Sequence, residues 1–484
     1  MKRIFSNKIL PISISILISF FTICLIYYAS DVTQTLLLGL SMTFLTLYII
    51  IRRVLNYGLS DPIFIFLSFF MFYNWLTLIN LASSVKSGFL SIDLYPTFFS
   101  VEVVKYAGLL GMIALFGIIV GAAIYEMLFR YKRDVKFTLQ NFDFRFLILI
   151  GFIFYLLGLV MFFINYQQIG GFFTSLSVNR LERFQILASA HTLPYPGFIF
   201  LGIALIFFAV FFYRSKKIFI LAFFMLAIWA ILLLLQGDRR FLIYSLLIVF
   251  VEWALFFGDD FIKRFGLKKI IFGLIIAFCS YLIFSFFSQV RFLIQLLITK
   301  KWTMHESLIW ISEHISLDWF MPGKTEFGGL YLSLLYSIKN KSDLLFGSSY
   351  VFSIPSILPR SLYPGIKPLT IADTFALKIY NEFYYFKDLM KGWGYSPVAE
   401  AFNNFGPFGV FVVFSFFGFI FEAIGRLRYK GFWSSLMYFM LVAELINFNR
   451  TSFASVVQEA VYFVVPVFAL YVLYILFHEI NGNS

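Results

Sequence analysis

The sequence predicts an all-α polytopic membrane protein of about twelve transmembrane helices, with one large outer-face loop that bears amphipathic helices. Three observations carry this prediction. Of 484 residues, 61% are hydrophobic and only 13% are charged, and the mean hydropathy is +0.89, so most of the surface must meet lipid rather than water. Apolar runs of roughly 17–25 residues recur along the chain, each long enough to cross the hydrocarbon core. The short turns between them are alternately rich and poor in Lys and Arg.

The runs fall at 9–29, 35–51, 62–82, 104–128, 146–164, 196–213, 218–235, 241–257, 269–287, 407–425, 432–448 and 460–477. Each is expected to be helical, because backbone N–H and C=O groups in lipid must pair within their own segment. The first, after Lys2, Arg3 and Lys8, resembles a signal peptide but lacks a small-residue cleavage site, so it is read as a retained helix. One set of turns carries Arg52 and Arg53; Arg130, Lys132, Arg133, Lys136 and Arg145; Arg214, Lys216 and Lys217; Lys263, Arg264, Lys268 and Lys269; and Arg426, Arg428 and Lys430. These turns, and with them both termini, are assigned to the cytoplasmic side. The net charge of +13 follows from this topology, so nucleic acid is not expected as a partner. Cys24 and Cys279 lie inside apolar runs and suggest neither a disulfide nor a metal site.

The organisation is therefore 1–287 with helices one to nine, a large outer loop over 288–406, and 407–484 with helices ten to twelve. The loop is rich in Trp, Tyr, Leu and Ile, unlike a disordered linker. In 303–320, Met304, Leu308, Ile311, Ile315 and Trp319 recur at helical spacing, which predicts an amphipathic helix at the membrane surface. A second is expected over 370–383, where Thr370 and Asp373 have capping-box spacing. Between them "PSILPRSLYPGIKP" carries four prolines and predicts an ordered, non-helical strap.

Candidate functional residues concentrate on the outer side. "QGDRR" places Gly237, Asp238, Arg239 and Arg240 in a turn between the seventh and eighth runs, where two arginines run against the charge rule. Their guanidinium forks suit a diphosphate, with Asp238 fixing the direction of one; snorkelling to lipid phosphate is the simpler alternative. Arg180, Arg183, Arg291, Arg360, Lys367 and Arg450 add to a positive outer vestibule suited to an anion. In "KGWGYSPVAEAFNNFGPFGVF", Ser396 is a helix cap, Pro397 suits the first helical position, and Gly406-Pro407 breaks the chain before the tenth run. Glu400 then stands at the mouth of the bundle, as a general base or an orienting group for an acceptor hydroxyl, with Asn403 and Asn404 one turn later; the simpler alternative is an acid favoured by the helix start. His305 and His314 are weaker candidates, nine residues apart and so not on one helix face. Metal-ligand spacing is missing, as are a Walker loop, a dinucleotide fingerprint and a nucleophile elbow, so neither a metal nor a cofactor is expected.

The layout, the G-D-R-R turn, the strap Gly347, Tyr350, Pro355, Pro359, Arg360, Pro364, Lys367, Pro368, and the tail from Trp393 to Gly409 together resemble the Wzy-type O-antigen or oligosaccharide repeat-unit polymerases. The resemblance implies a metal-independent glycosyltransferase of the bacterial inner membrane. Such an enzyme moves a growing glycan from one undecaprenyl diphosphate carrier to the sugar of another carrier-linked unit at the periplasmic face. It implies as partners the lipid-linked oligosaccharide, membrane lipid, a chain-length regulator and a flippase of the same pathway. Arg239, Arg240, Arg291 and Arg360 would then meet the diphosphate, and Arg180, Arg183 and Lys367 would support them. Asn403, Trp393, His305 and His314 would face the acceptor sugar. The R-x10-G repeats of some members do not occur at Arg180, Arg183, Arg291 or Arg360. An O-antigen ligase shares the late loop and the arginines; the tail motif favours the polymerase. A lipid-linked oligosaccharide flippase would want short loops and more polar residues at mid-membrane depth than Glu252 and Glu444.

Overall fold

The computed structural model describes residues 31–83, 85–86, 89–92, 95–129, 144–178, 193–236, 240–263, 302–315, 326–340, 344–358, 369–382 and 394–482, with isolated residues between them. Among the described residues, nine helices are long and apolar enough to cross a membrane, and a shorter apolar one accompanies them. The expected runs 9–29 and 269–287 lie outside the described residues, apart from Tyr-adjacent Leu282 and Phe286.

The long helices alternate in direction. They are α1 (Asp31–Tyr57), α2 (Pro62–Ser83), α3 (Val101–Leu128), α4 (Phe144–Gln167), α6 (Tyr195–Tyr213), α7 (Lys216–Gln236) and α8 (Arg240–Lys263). After the loop come α14 (Pro397–Leu427), α15 (Phe432–Asn447) and α16 (Phe453–Gly482). A short α5 (Phe172–Ser177) follows α4. The large loop contributes α9 (Met304–His314), α10 (Glu326–Asn340), α11 (Ser348–Val351), α12 (Ser353–Ser356) and α13 (Ile371–Glu382). The bundle thus has a loop end and an opposite end.

Two departures from the expected architecture have local causes. Residues Val85–Lys86 (β1), Phe89–Ile92 (β2) and Tyr95–Ser100 (β3) form a three-stranded antiparallel sheet between α2 and α3. Register pairs are Lys86 with Phe89 and Leu90 with Phe99. The sequence predicts nothing here, because strands of two to six residues give too few alternations to register as period two. In α2, residues Met71–Leu76 are π-helical, and Thr77 Oγ1 donates to the Phe72 carbonyl at 2.9 Å. The extra residue turns Trp75 into the core, where its Nε1 donates to Thr46 Oγ1 at 3.0 Å.

Small residues set the tightest helix contact. The α3 and α14 backbones approach so closely that a Cβ on Gly121 would stand 1.7 Å from the Ser415 carbonyl oxygen, and one on Gly418 2.2 Å from that of Ile118. Gly117 and Gly121, four apart on α3, make this groove. Backbone cannot move aside as a side chain can. Gly121→Val is therefore expected to cost about 3 kcal/mol or more by overpacking, read as a fall in melting temperature or loss of the monodisperse peak in detergent. Val120→Leu, on the exposed side of the same helix, should leave both unchanged.

At the opposite end a charged network joins four helices. Arg53 on α1 donates to both oxygens of Asp61 (2.9 and 2.8 Å), to Glu126 of α3 (2.8 Å) and to Glu422 of α14 (2.6 Å). Asp61 also caps α2, accepting from Phe64 N at 3.0 Å. Arg428, just beyond α14, reaches Ser60 Oγ at 3.1 Å and Asp61 at 3.4 Å, and Tyr438 of α15 donates to the Ser60 carbonyl. Every guanidinium nitrogen of Arg53 is thus engaged, the condition under which buried charge is tolerated in a membrane protein.

Candidate active site at the loop end

A break in α14 organises the loop end. Gly406 has φ 70 and ψ −165, a conformation open to glycine and not to residues with a side chain. Pro407 has no N–H for the carbonyl four residues earlier, that of Asn403. The loop segment ahead of α11 replaces the missing donors: Leu345 N donates to the Asn403 carbonyl at 2.9 Å and Phe346 N to that of Asn404 at 3.0 Å. Irregular backbone at this depth is stable because protein satisfies it. The segment turns at Phe346 (φ 47) and Gly347 (φ 84), and the Tyr350 ring stacks on Phe405 with centroids 6.2 Å apart. The expected break at Gly406-Pro407 is present. The helix also begins where the sequence predicts, at Pro397 after Ser396, so the stretch ahead of the break is a half-helix.

The half-helix carries Glu400, buried at 1% exposure. Its Oε1 accepts from Ser349 Oγ of α11 at 2.7 Å and its Oε2 from Phe453 N at 2.8 Å. The second bond places the carboxylate at the first N–H of α16, where the helix dipole favours negative charge. Asn404 Nδ2 donates to Ser349 Oγ and to the Glu400 carbonyl, both at 2.7 Å. Asn403 Nδ2 donates to Ser337 Oγ of α10 at 2.9 Å and to the Tyr395 hydroxyl at 2.7 Å. Ser396 occupies the N-cap position, but its side chain makes no cap bond; its N–H instead donates to Ser333 Oγ of α10 at 2.8 Å. Tyr395 N donates to the Arg450 carbonyl at 3.0 Å. Glu400, Asn403 and Asn404 are thus brought together, as members of one buried hydrogen-bonded knot that ties three loop helices to α16.

Arg240 opens α8 at the same end. Its NH1 donates to Glu459 Oε1 of α16 at 2.6 Å, and its guanidinium lies 4.4 Å from the centre of the Phe241 ring. The Arg240 and Glu459 side chains are 27% and 21% exposed. Asn447 Nδ2, at the end of α15, donates to Glu459 Oε2 at 3.0 Å and to Glu444 Oε2 at 2.9 Å. Among the described residues Arg240 thus pairs with Glu459, 219 positions away; Asp238, the expected neighbour, lies outside the described residues. Glu459 is not among the sequence candidates; it stands one residue before the expected run 460–477, where an acid is ordinary. The available signal was an acid set between "SFASVVQ" and "AVYFVV", both apolar enough for lipid.

Of the other expected site residues, Arg180, Arg183, Arg239, Arg291, Arg360, Lys367 and Trp393 lie outside the described residues. His305 and His314 are exposed on α9; His314 Nδ1 donates to the Trp310 carbonyl at 2.9 Å, and the two rings stack. The α9 helix stops at His314, with Ile315 extended, rather than running to 320. Thr303 and Glu306 form its capping box, and the Thr303 N–H and hydroxyl hold the Glu306 carboxyl below the usual range. Met304, Leu308 and Ile315 are exposed on α9, as suits a helix lying at a membrane surface. The expected capping box of α13 is present, with Thr370 N donating to Asp373 Oδ2 at 3.0 Å and Asp373 N to Thr370 Oγ1 at 3.2 Å. Within the strap, Pro355 lies in the one-turn α12, while Pro359, Pro364 and Pro368 lie outside the described residues. Among the described residues no group of three or more His, Cys, Asp or Glu gathers as a metal cage.

Antiparallel apolar helices, a loop docked into a broken helix, and a half-exposed Arg–Glu pair at the same end define a multi-pass membrane protein with polar machinery at one membrane surface. The chain belongs to the O-antigen polysaccharide polymerase Wzy family, whose model matches residues 11–479, nearly the whole length. It polymerises lipid-linked saccharide repeat units. Neither a curated protein nor a solved structure matches it.

Proposed function

We propose that the polymerisation takes place at the periplasmic face of the bacterial inner membrane, on units carried by undecaprenyl diphosphate, without a metal ion. The orientation rests on charge: Arg52, Arg53, Arg214, Lys216, Lys217, Arg426, Arg428 and Lys430 all lie at the end opposite the loop, which makes that end and both termini cytoplasmic. The observation that carries the chemistry is Arg240 at the loop-end head of α8, half-exposed and held by a carboxylate across the helix interface. A carrier lipid holds its diphosphate at this depth. Arg240, with Arg239 beside it in sequence, takes the diphosphate and stabilises the negative charge that grows as the bond to the sugar breaks. Arg180, Arg183, Arg291, Arg360 and Lys367 remain the sequence candidates for completing this positive surface, and Trp393, His305 and His314 for meeting the acceptor sugar. Glu400, with both oxygens engaged, acts as a positioning residue that fixes α11 and the half-helix against α16.

The test is reconstitution in lipid nanodiscs with undecaprenyl diphosphate-linked repeat units as sole substrate and EDTA present. A ladder of polymer with release of undecaprenyl diphosphate is expected. Strict dependence on a divalent ion or on a nucleotide sugar would sink the reading.

A further inference from the structure

We propose that Glu459 accepts the proton of the incoming hydroxyl, and that Arg240 caps it until a donor diphosphate draws the guanidinium away. The inference rests on the diphosphate-clamp reading above. Among the described carboxylates of the loop end, Glu400 has both oxygens engaged in the buried knot. Glu444 is 5% exposed. Asp373 and Glu306 close capping boxes on exposed loop helices, and Asp31 pairs with Lys105 at the head of α1. Glu459 differs from all of these. It is partly reachable, it is held in direction by Asn447, and its other oxygen is covered by a group that a stronger anion can claim.

The surroundings of this pair hold spare hydrogen-bonding capacity. Behind Glu459 lie buried polar atoms that have no hydrogen-bond partner: Glu444 Oε1, Asn447 Oδ1 and the Tyr244 hydroxyl. Tyr244 stands one helical turn below Arg240 on α8 and within electrostatic reach of Arg240, Glu459, Glu444 and Arg450. Buried polar groups are normally satisfied, so unfilled ones call for an explanation. Here they give the Glu459 carboxyl and the Asn447 amide alternative partners once Arg240 turns outward.

In the step itself, the acceptor hydroxyl oxygen attacks the anomeric carbon and forms the glycosidic C–O bond. The bond from that carbon to the diphosphate oxygen breaks, and its electron pair leaves with the diphosphate, now bonded to Arg240. The hydroxyl proton passes to Glu459 Oε1. Departure of undecaprenyl diphosphate and loss of the proton to water restore the Arg240–Glu459 pair. Because the base is uncovered only when the donor is seated, the acceptor hydroxyl is not activated beside an empty donor site.

The experiment uses full-length protein in nanodiscs, with undecaprenyl diphosphate as the binding probe and polymer formation as the rate. For Glu459→Gln we expect the rate to fall by about 10²–10⁴, with probe binding equal to wild type or tighter, since Arg240 no longer has a charged competitor. Glu459→Asp, a carboxylate set back by one methylene, should bind normally and keep an intermediate rate. A Gln variant within threefold of the wild-type rate would overturn the proposal. So would parallel loss of binding and rate, which would make Glu459 only a holder of Arg240. Should the Gln variant fail to fold, the Asp variant decides on the same division of binding from rate. If wild-type protein itself does not bind undecaprenyl diphosphate, it is the clamp reading that has failed.

Discussion

Replacing Arg240 with alanine is expected to cut polymer formation by about tenfold to a hundredfold at matched protein levels. One charged hydrogen bond contributes on the order of 1.5–3 kcal/mol, and when it is made in the transition state that energy converts to this factor in rate. Stability should change little, because the Arg240–Glu459 pair is partly solvated and such pairs contribute about 0–1 kcal/mol. Arg240→Lys keeps the charge and loses the two-pronged fork, so partial activity is expected. A residue that only snorkels to bulk lipid phosphate would give another pattern, since lysine snorkels about as well as arginine. Chain-length profiles of the two variants measure the difference. Wild-type polymer from both would move the clamp to the remaining arginines and Lys367.

Glu400→Ala is expected to abolish polymer and to lower the melting temperature together. The substitution strips the acceptor from Phe453 N and from Ser349 Oγ and leaves a void in a fully packed knot. An unsatisfied buried donor alone costs about 1–3 kcal/mol. Glu400→Gln separates the roles. The glutamine oxygen can still accept from Phe453 N, and its amide can donate to Ser349 Oγ, so a positioning residue would retain polymer at a reduced level, within about tenfold of wild type. Loss in Glu400→Gln as complete as in Glu400→Ala, at wild-type melting temperature, would return Glu400 to the role of general base.

What the sequence disclosed, and what it withheld, follows the range of the interactions. Expected spans such as 35–51, 104–128 and 432–448 have their counterparts in α1, α3 and α15, because lipid imposes a length and a composition that any window can read. The Gly406-Pro407 break and the capping box at Thr370 depend on neighbours three or four positions apart. The knot does not. Glu400 meets Ser349 and Phe453, about fifty residues to either side, and Arg240 meets Glu459 across 219. No local pattern announces such partners. The helix α10, which supplies Ser333 and Ser337 to the knot, is not among the elements the sequence predicts. The α3–α14 contact is not predicted either: glycines four apart on one helix say nothing about which other helix fills the groove.

The opposite-end network has a mechanical consequence. Arg53 ties α1, the cap of α2, α3 and α14 at a single point, while at the loop end α1 and α3 meet through the exposed, exchangeable bond of Lys105 to Asp31. A bundle riveted at one end behaves as a set of levers with a common fulcrum. Helix α1 alone is 27 residues long, or about 40 Å at 1.5 Å per residue, so a tilt of a few degrees about the rivet would displace its far end by about 2 Å while the riveted end stays in place.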